Sequence, residues 1–209
     1  MVSKNGCFIV FEGIDGSGKS TQISLLKDHI EEHSINCMTT MEPSNGPIGT
    51  LLRQFLSGRI KGEETTLTAL FAADRLDHLN NPVTGIRKLL EDGIAVISDR
   101  YVFSNYAYQS VSVPLEWIMK CNEMANETVR PDCHIFIDVA PETAMDRVSK
   151  GRHQTDIYET LDRLTDVRER YLDLIHRMED VENIIIIDGN RPEKEIADDI
   201  WAKVCHYFV

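Results

Sequence analysis

Five short apolar runs punctuate the chain, and most are followed by a longer stretch in which apolar residues recur every three or four positions. The runs are Cys7 to Glu12, Ser34 to Thr40, Ile94 to Ser98, His134 to Val139 and Asn183 to Ile187, the last lying in the continuous apolar segment ENIIIID. Helical periodicity falls at 19–32, 47–57, 65–80, 82–91, 114–124, 142–149, 158–178 and 192–205. This alternation predicts an α/β fold around a mostly parallel sheet, with ligands bound beyond the carboxyl ends of the strands. Pro82, Pro114, Pro141 and Pro192 sit at or near the expected helix starts, where a missing N–H costs little.

Composition narrows this picture. A length of 209 residues with 42% hydrophobic content suits one domain, with room for a small mobile segment inside it. No apolar stretch nears the roughly 20 residues of a membrane span, and the start, MVSKNGC, lacks the order of a secretory signal. A cytoplasmic protein with no membrane partner is expected. The five cysteines are scattered and include no CxxC, so they read as buried thiols rather than as a zinc site or disulfide framework. A formal charge of −12 argues against broad nucleic-acid binding. It also gives weight to the few arginines beside loop motifs, because a phosphate ligand must find positive charge on an acidic chain.

The strongest chemical signal is FEGIDGSGKST, Phe11 to Thr21, placed after the first apolar run and before a helical pattern. It satisfies GxxxxGK[ST], a loop whose backbone N–H groups cradle phosphates. Gly13, Ile14, Asp15, Gly16, Ser17, Gly18, Lys19, Ser20 and Thr21 are the candidate residues for a nucleoside triphosphate. Lys19 supplies a mobile positive charge to the β- and γ-phosphates, and the Ser20 hydroxyl suits a magnesium ion.

Further segments carry candidate chemistry. DRYVFSNYAYQ, Asp99 to Gln109, directly follows a strand. There Asp99 can orient magnesium-bound water or anchor Arg100, whose forked guanidinium suits an acceptor phosphate. Ser104, Asn105, Tyr108 and Gln109 fall four apart in pairs, on spacings that share a helical face. In LFAADRLDH, Phe71 and Arg75 are also four apart, so a ring can stack on a base while the guanidinium meets its edge or a phosphate. Glu12 and Glu42 each follow a strand, where a carboxylate beside phosphates needs magnesium, an arginine or a hydroxyl as partner. The polar segment KGRHQTDIYE, 150–159, reads as a lid that closes over phosphates and excludes water. DGNRP, with Arg191, either borders adenine or forms a plain turn.

Together these motifs resemble the thymidylate kinase family, across FEGIDGSGKSTQ, EPSNGPIG, LFAADR, DRYVFSNYAYQ, PDCHIFIDV and the lid with its following helix. The resemblance implies a three-layer α/β/α P-loop NTPase fold of the nucleoside monophosphate kinase type with a five-stranded parallel sheet. It implies a homodimer that uses ATP and magnesium to phosphorylate dTMP. By the same resemblance Phe71 stacks on thymine, Arg75 contacts its edge, Arg100 holds the acceptor phosphate, and 104–109 lines the nucleoside pocket. Glu12 matches a carboxylate beside both phosphates, and catalysis falls to Lys19, Arg100, Arg152 and Glu12. The phosphate loop carries no arginine while the lid carries Arg152, which matches the bacterial arrangement; Arg147 is the reserve. Met41 stands where many relatives have arginine before the Glu-Pro pair, leaving Arg53 as its candidate replacement. Two other readings stay open: another nucleotide or deoxynucleoside kinase on this scaffold, or a nucleotide-binding regulatory protein.

Overall fold

The computed structural model describes residues 6–151 and 160–208. The expected lid, with Arg152, therefore falls almost wholly outside the described residues. Five parallel strands, β1 (Phe8–Glu12), β2 (Cys37–Met41), β3 (Ala95–Asp99), β4 (Cys133–Asp138) and β5 (Ile184–Asp188), form one sheet in the order β2-β3-β1-β4-β5. Central β1 is buried at every position, as its unbroken FIVFE run requires when helices cover both faces. The edge strands are more exposed, and Ile186 of β5 is half open to solvent.

Helices α1 (Lys19–Glu32) and α9 (Glu193–Val204) pack together on one side of the sheet, where Gln22 Nε2 donates to the Glu193 carbonyl at 3.0 Å. The other helical layer contains α3 (Glu64–Asn80), α5 (Val102–Gln109), α6 (Leu115–Thr128) and α8 (Leu161–Met178). The other α-helices of the described residues are α2 (Pro47–Leu56), α4 (Ile86–Glu91) and α7 (Pro141–Gly151). Helix α8 buries Leu164, Val167, Tyr171, Leu174 and Ile175, a stripe at helical spacing. Its N-cap Thr160 accepts from the Arg163 N–H at 3.3 Å.

Two local expectations change. The helix expected over 82–91 begins only at Ile86, because the Asn81 carboxamide oxygen accepts from the backbone N–H groups of Val83 and Thr84 and turns Pro82 into a loop residue. The segment after β3 coils into α5, so the paired spacings there lie on a helix. Just before it, Arg100 takes the left-handed conformation at φ 77°. Its N–H is anchored to the Phe11 carbonyl at 2.8 Å, which holds that uncommon conformation in place.

Candidate active site

The phosphate loop joins β1 to α1 at the carboxyl edge of the sheet. Gly16 adopts φ +80°, and a Cβ there would lie 2.2 Å from the Ala144 carbonyl oxygen, so only glycine lets the loop seat against α7. No side chain caps α1. Its first N–H groups are left to face the cleft as anion donors. Lys19 Nζ donates to the carbonyls of Gly13 and Ile14, each at 3.1 Å. Burial, with Arg100 nearby, lowers the Lys19 pKa; Asp99, Asp15 and Glu12 oppose that shift.

Ser20 and Asp99, the two candidate magnesium residues, lie side by side. The Ser20 hydroxyl donates to Asp99 Oδ2 at 3.2 Å, while the buried Asp99 Oδ1 has no hydrogen-bond partner among the described residues. A hydroxyl beside an unspent carboxylate oxygen fits a hard cation that keeps most of its water.

Arg100 is the hub of the cleft. Its Nη2 donates to Asp15 Oδ1 at 2.7 Å and to the Tyr108 hydroxyl at 3.1 Å, and its Nη1 donates to Ser104 Oγ at 3.1 Å. The guanidinium also lies over the Tyr108 ring, 4.8 Å from its centroid. Tyr108 in turn donates to Asp15 Oδ2 at 2.9 Å. Beneath this group Glu12 accepts from the Tyr101 N–H at 2.9 Å, from Ser104 Oγ at 2.5 Å and from the Tyr171 hydroxyl at 2.9 Å. Burial raises the Glu12 pKa against the pull of these donors and of Arg100.

Two cavities open here. The larger, about 690 Å³, runs along the phosphate loop to Arg147 and Arg191. The smaller, about 220 Å³, is lined by Phe71, Arg75, Arg53, Ser104, Asn105 and Gln109 among others. Asp15, Met41, Glu42 and Arg100 line both, so the cavities meet at the Arg100 guanidinium. Arg75 is fully buried, and its Nη2 donates to Glu42 Oε2 at 2.5 Å and to the Tyr101 carbonyl at 3.1 Å. Burial disfavours the Arg75 charge, and Glu42 more than offsets this.

All nine candidate substrate residues therefore converge on the smaller cavity, and Asp15 to Thr21, with Arg191, line the larger. Gly13, Ile14 and Glu12 line neither. The first two supply carbonyls to Lys19, and Glu12 lies under Arg100 through Ser104. That places Glu12 as a support for the site rather than a group facing either cavity. Arg53 lines the smaller cavity, yet its Nη1 is turned onto the carbonyls of Pro43 and Ser44 at 2.9 and 2.7 Å, bracing the loop after Glu42. Arg147 reaches the Gly189 carbonyl at 3.0 Å and borders the larger cavity. Asp74, Asn122 and Tyr171 escaped the sequence reading. Asp74 accepts from both the N–H and the hydroxyl of Ser44, at 2.7 and 2.6 Å, and so shapes the same loop. Its position one residue before Arg75 was the available signal; nothing local marks Asn122 or Tyr171, which reach the site from α6 and α8.

A parallel five-stranded sheet, a phosphate loop on its first strand and a second pocket sharing an arginine with it define a nucleoside monophosphate kinase of the P-loop class. Comparison with known proteins narrows the class. The thymidylate kinase family model matches residues 11–200. A thymidylate kinase of Symbiobacterium thermophilum is 38% identical over 92% of this chain and 90% of its own. Probable thymidylate kinases of Methanobrevibacter smithii and Methanococcus aeolicus are each 37% identical, over 96% and 94% of this chain and 95% of each relative. The chain belongs to the thymidylate kinase family.

Proposed function

We propose that this protein transfers the terminal phosphoryl group of ATP to dTMP, giving ADP and dTDP. The observation that carries the reading is the meeting of the two cavities at Arg100, which supports a donor triphosphate in one and an acceptor monophosphate in the other, end to end. The bond to the transferred phosphorus breaks on the ADP side and forms to an oxygen of the acceptor phosphate. That acceptor is already an anionic nucleophile, so positioning and charge stabilisation supply the catalysis. Lys19 and the loop N–H groups hold the donor, Ser20 and Asp99 would hold magnesium, and Arg100 aligns the acceptor phosphate by exchanging its Asp15 and Ser104 bonds. A magnesium ion held there would supply positive charge against the donor phosphates. Arg152, beyond the described residues, supplies the closing charge, and Arg147 stands next to the same cavity.

Phe71 offers the ring for thymine, and Arg75 with 104–109 offers the polar groups for its edge. A homodimer is proposed as well, for which the solvent-facing Trp117, Met119 and Met124 of α6 provide apolar surface. No helix among the described residues is long and apolar enough to cross a membrane, and the five free thiols suit the reducing cytoplasm. Turnover of dTMP, dUMP, UMP, CMP, AMP and GMP with ATP and magnesium tests the reading. dTMP is expected to give the highest kcat/KM; preference for a purine monophosphate, or nucleotide binding with no transfer to any acceptor, would refute it.

A further inference from the structure

His78 lines neither cavity, yet its side chain is only 10% exposed and packs against Glu42, which lines both. On α3 it follows Arg75 by three positions, so the two side chains share a face of the helix. They reach one carboxylate from two sides. Arg75 Nη2 donates to Glu42 Oε2 at 2.5 Å, and its Nη1 donates to the Asn122 carboxamide oxygen. His78 Nδ1 lies 3.5 Å from Glu42 Oε1, and its Nε2 is 2.7 Å from Thr40 Oγ1. Neither Glu42 Oε1 nor His78 Nδ1 has a hydrogen-bond partner among the described residues, so the two unspent atoms are left to each other. Asp74 extends the pattern by holding Ser44. Thr40, Glu42 and Ser44, alternate residues of the chain leaving β2, are thus all tied to α3.

The neutral ring has one arrangement that suits both neighbours. A carboxylate accepts only, so the nitrogen beside Glu42 carries the hydrogen; the Thr40 hydroxyl, which can donate or accept, then donates to a bare Nε2. The opposite tautomer sets a lone pair against the carboxylate in a buried place, where such a mismatch is most costly. Thr40 therefore fixes the ring, the ring fixes the Oε1 side of Glu42, and Arg75 fixes the Oε2 side. Held at both oxygens, the carboxylate is kept from swinging into the cavities it lines.

We propose that His78 is a positioning residue of the acceptor pocket, acting through the Glu42 carboxylate that is the counter-ion of Arg75. The role rests on the dTMP reading above. Without the Nδ1 hydrogen, Glu42 Oε1 is a buried acceptor with nothing to accept from. The carboxylate then turns toward water in the cavity and draws Arg75 away from the place where it meets the acceptor. The loss falls on acceptor binding, because Lys19, on the donor side, is anchored to carbonyls of the phosphate loop itself.

A carboxamide can stand in for one ring nitrogen at a time. Asparagine places its amino group where Nδ1 was and gives up Thr40; glutamine places it where Nε2 was and gives up Glu42. In the full-length enzyme with ATP and magnesium, His78→Gln is expected to raise the KM for dTMP about tenfold, with kcat and the KM for ATP within about threefold of the parent's. His78→Asn is expected to bring the KM for dTMP back to within about threefold of the parent's. A residue that only filled space would penalise both variants alike, so equal KM values for dTMP in the two overturn the proposal. Heteronuclear NMR of the labelled parent imidazole reads the same arrangement with no variant. Hydrogen on Nδ1 is expected, and a bare Nδ1 at neutral pH overturns the role of His78 even where a variant fails to fold. A parent that turns over no dTMP overturns instead the reading beneath it, and the NMR result still decides how His78 faces Glu42.

Discussion

Replacing Asp15 by Asn removes a charge while keeping the shape and one acceptor oxygen, at a site where the consequence follows from the geometry. The Asp15 side chain is about one quarter exposed, lies 2.7 Å from Arg100 Nη2 and accepts from the Tyr108 hydroxyl at 2.9 Å. Burial works against its charge, but Arg100, Lys19 and the Tyr108 hydrogen bond outweigh it and hold the carboxyl at about 2, below its ordinary 3.8. At about 1.4 kcal/mol per pKa unit, this depression contributes roughly 2 kcal/mol to folding at neutral pH. A lowered carboxyl pKa stabilises above the unfolded value and loses that contribution as pH falls through the folded one. The parent and Asp15→Asn should therefore differ by roughly 2 kcal/mol at pH 7, and by roughly half that at pH 3. In a chain of this length the neutral-pH difference lowers Tm by roughly 4–8 °C. Urea titrations at pH 7, 5 and 3 measure it directly. A difference below about 0.5 kcal/mol at pH 7, or one that stays constant down to pH 3, would refute the assignment of Asp15 as the anion that anchors Arg100.

His134 is packed in the core against Phe103 at 4.5 Å, and burial pushes its pKa down to about 3 from 6.5. Between those values the unfolded chain binds a proton that the folded chain refuses, so stability falls as pH drops below 6.5. His134→Gln should flatten this slope by about 1 kcal/mol between pH 6 and pH 5, and an unchanged slope in denaturant titrations would contradict it. Gly16→Ala drives a Cβ into the Ala144 carbonyl at 2.2 Å in a left-handed backbone. It should weaken ATP binding by about tenfold or more in calorimetry, and parental affinity would show that the loop tolerates the shift. Arg152→Ala should lower kcat by about 100-fold or more at saturating ATP and dTMP, and steady-state turnover near the parent's would remove the arginine from the mechanism.

Much of the site is written in local sequence. GIDGSGKS names its own backbone geometry, because glycine at 16 and 18 is what left-handed turns require, and the lysine and serine follow at the start of a helix. Phe71 with Arg75, and the paired spacings from Ser104 to Gln109, were readable because a helix places residues four apart on one face. The central strands announced themselves as unbroken apolar runs, since both of their faces are covered. The start of α4 was misread because the Asn81 side chain competes with the helix for backbone N–H groups, a choice made over three residues that periodicity does not register.

What sequence alone determined is the alternation of strands and helices, the phosphate loop and the identities of the groups that flank it. Only the tertiary structure decided what those groups do. It turned Glu12 beneath Arg100, spent Arg53 on two backbone carbonyls, and brought Asn122 and Tyr171 from distant helices into the supporting shell. The physical reason is that hydrogen bonds in a buried cleft join residues far apart in the chain, such as Glu12 and Tyr171 at 159 positions, and their partners are chosen by packing and desolvation rather than by spacing along the chain.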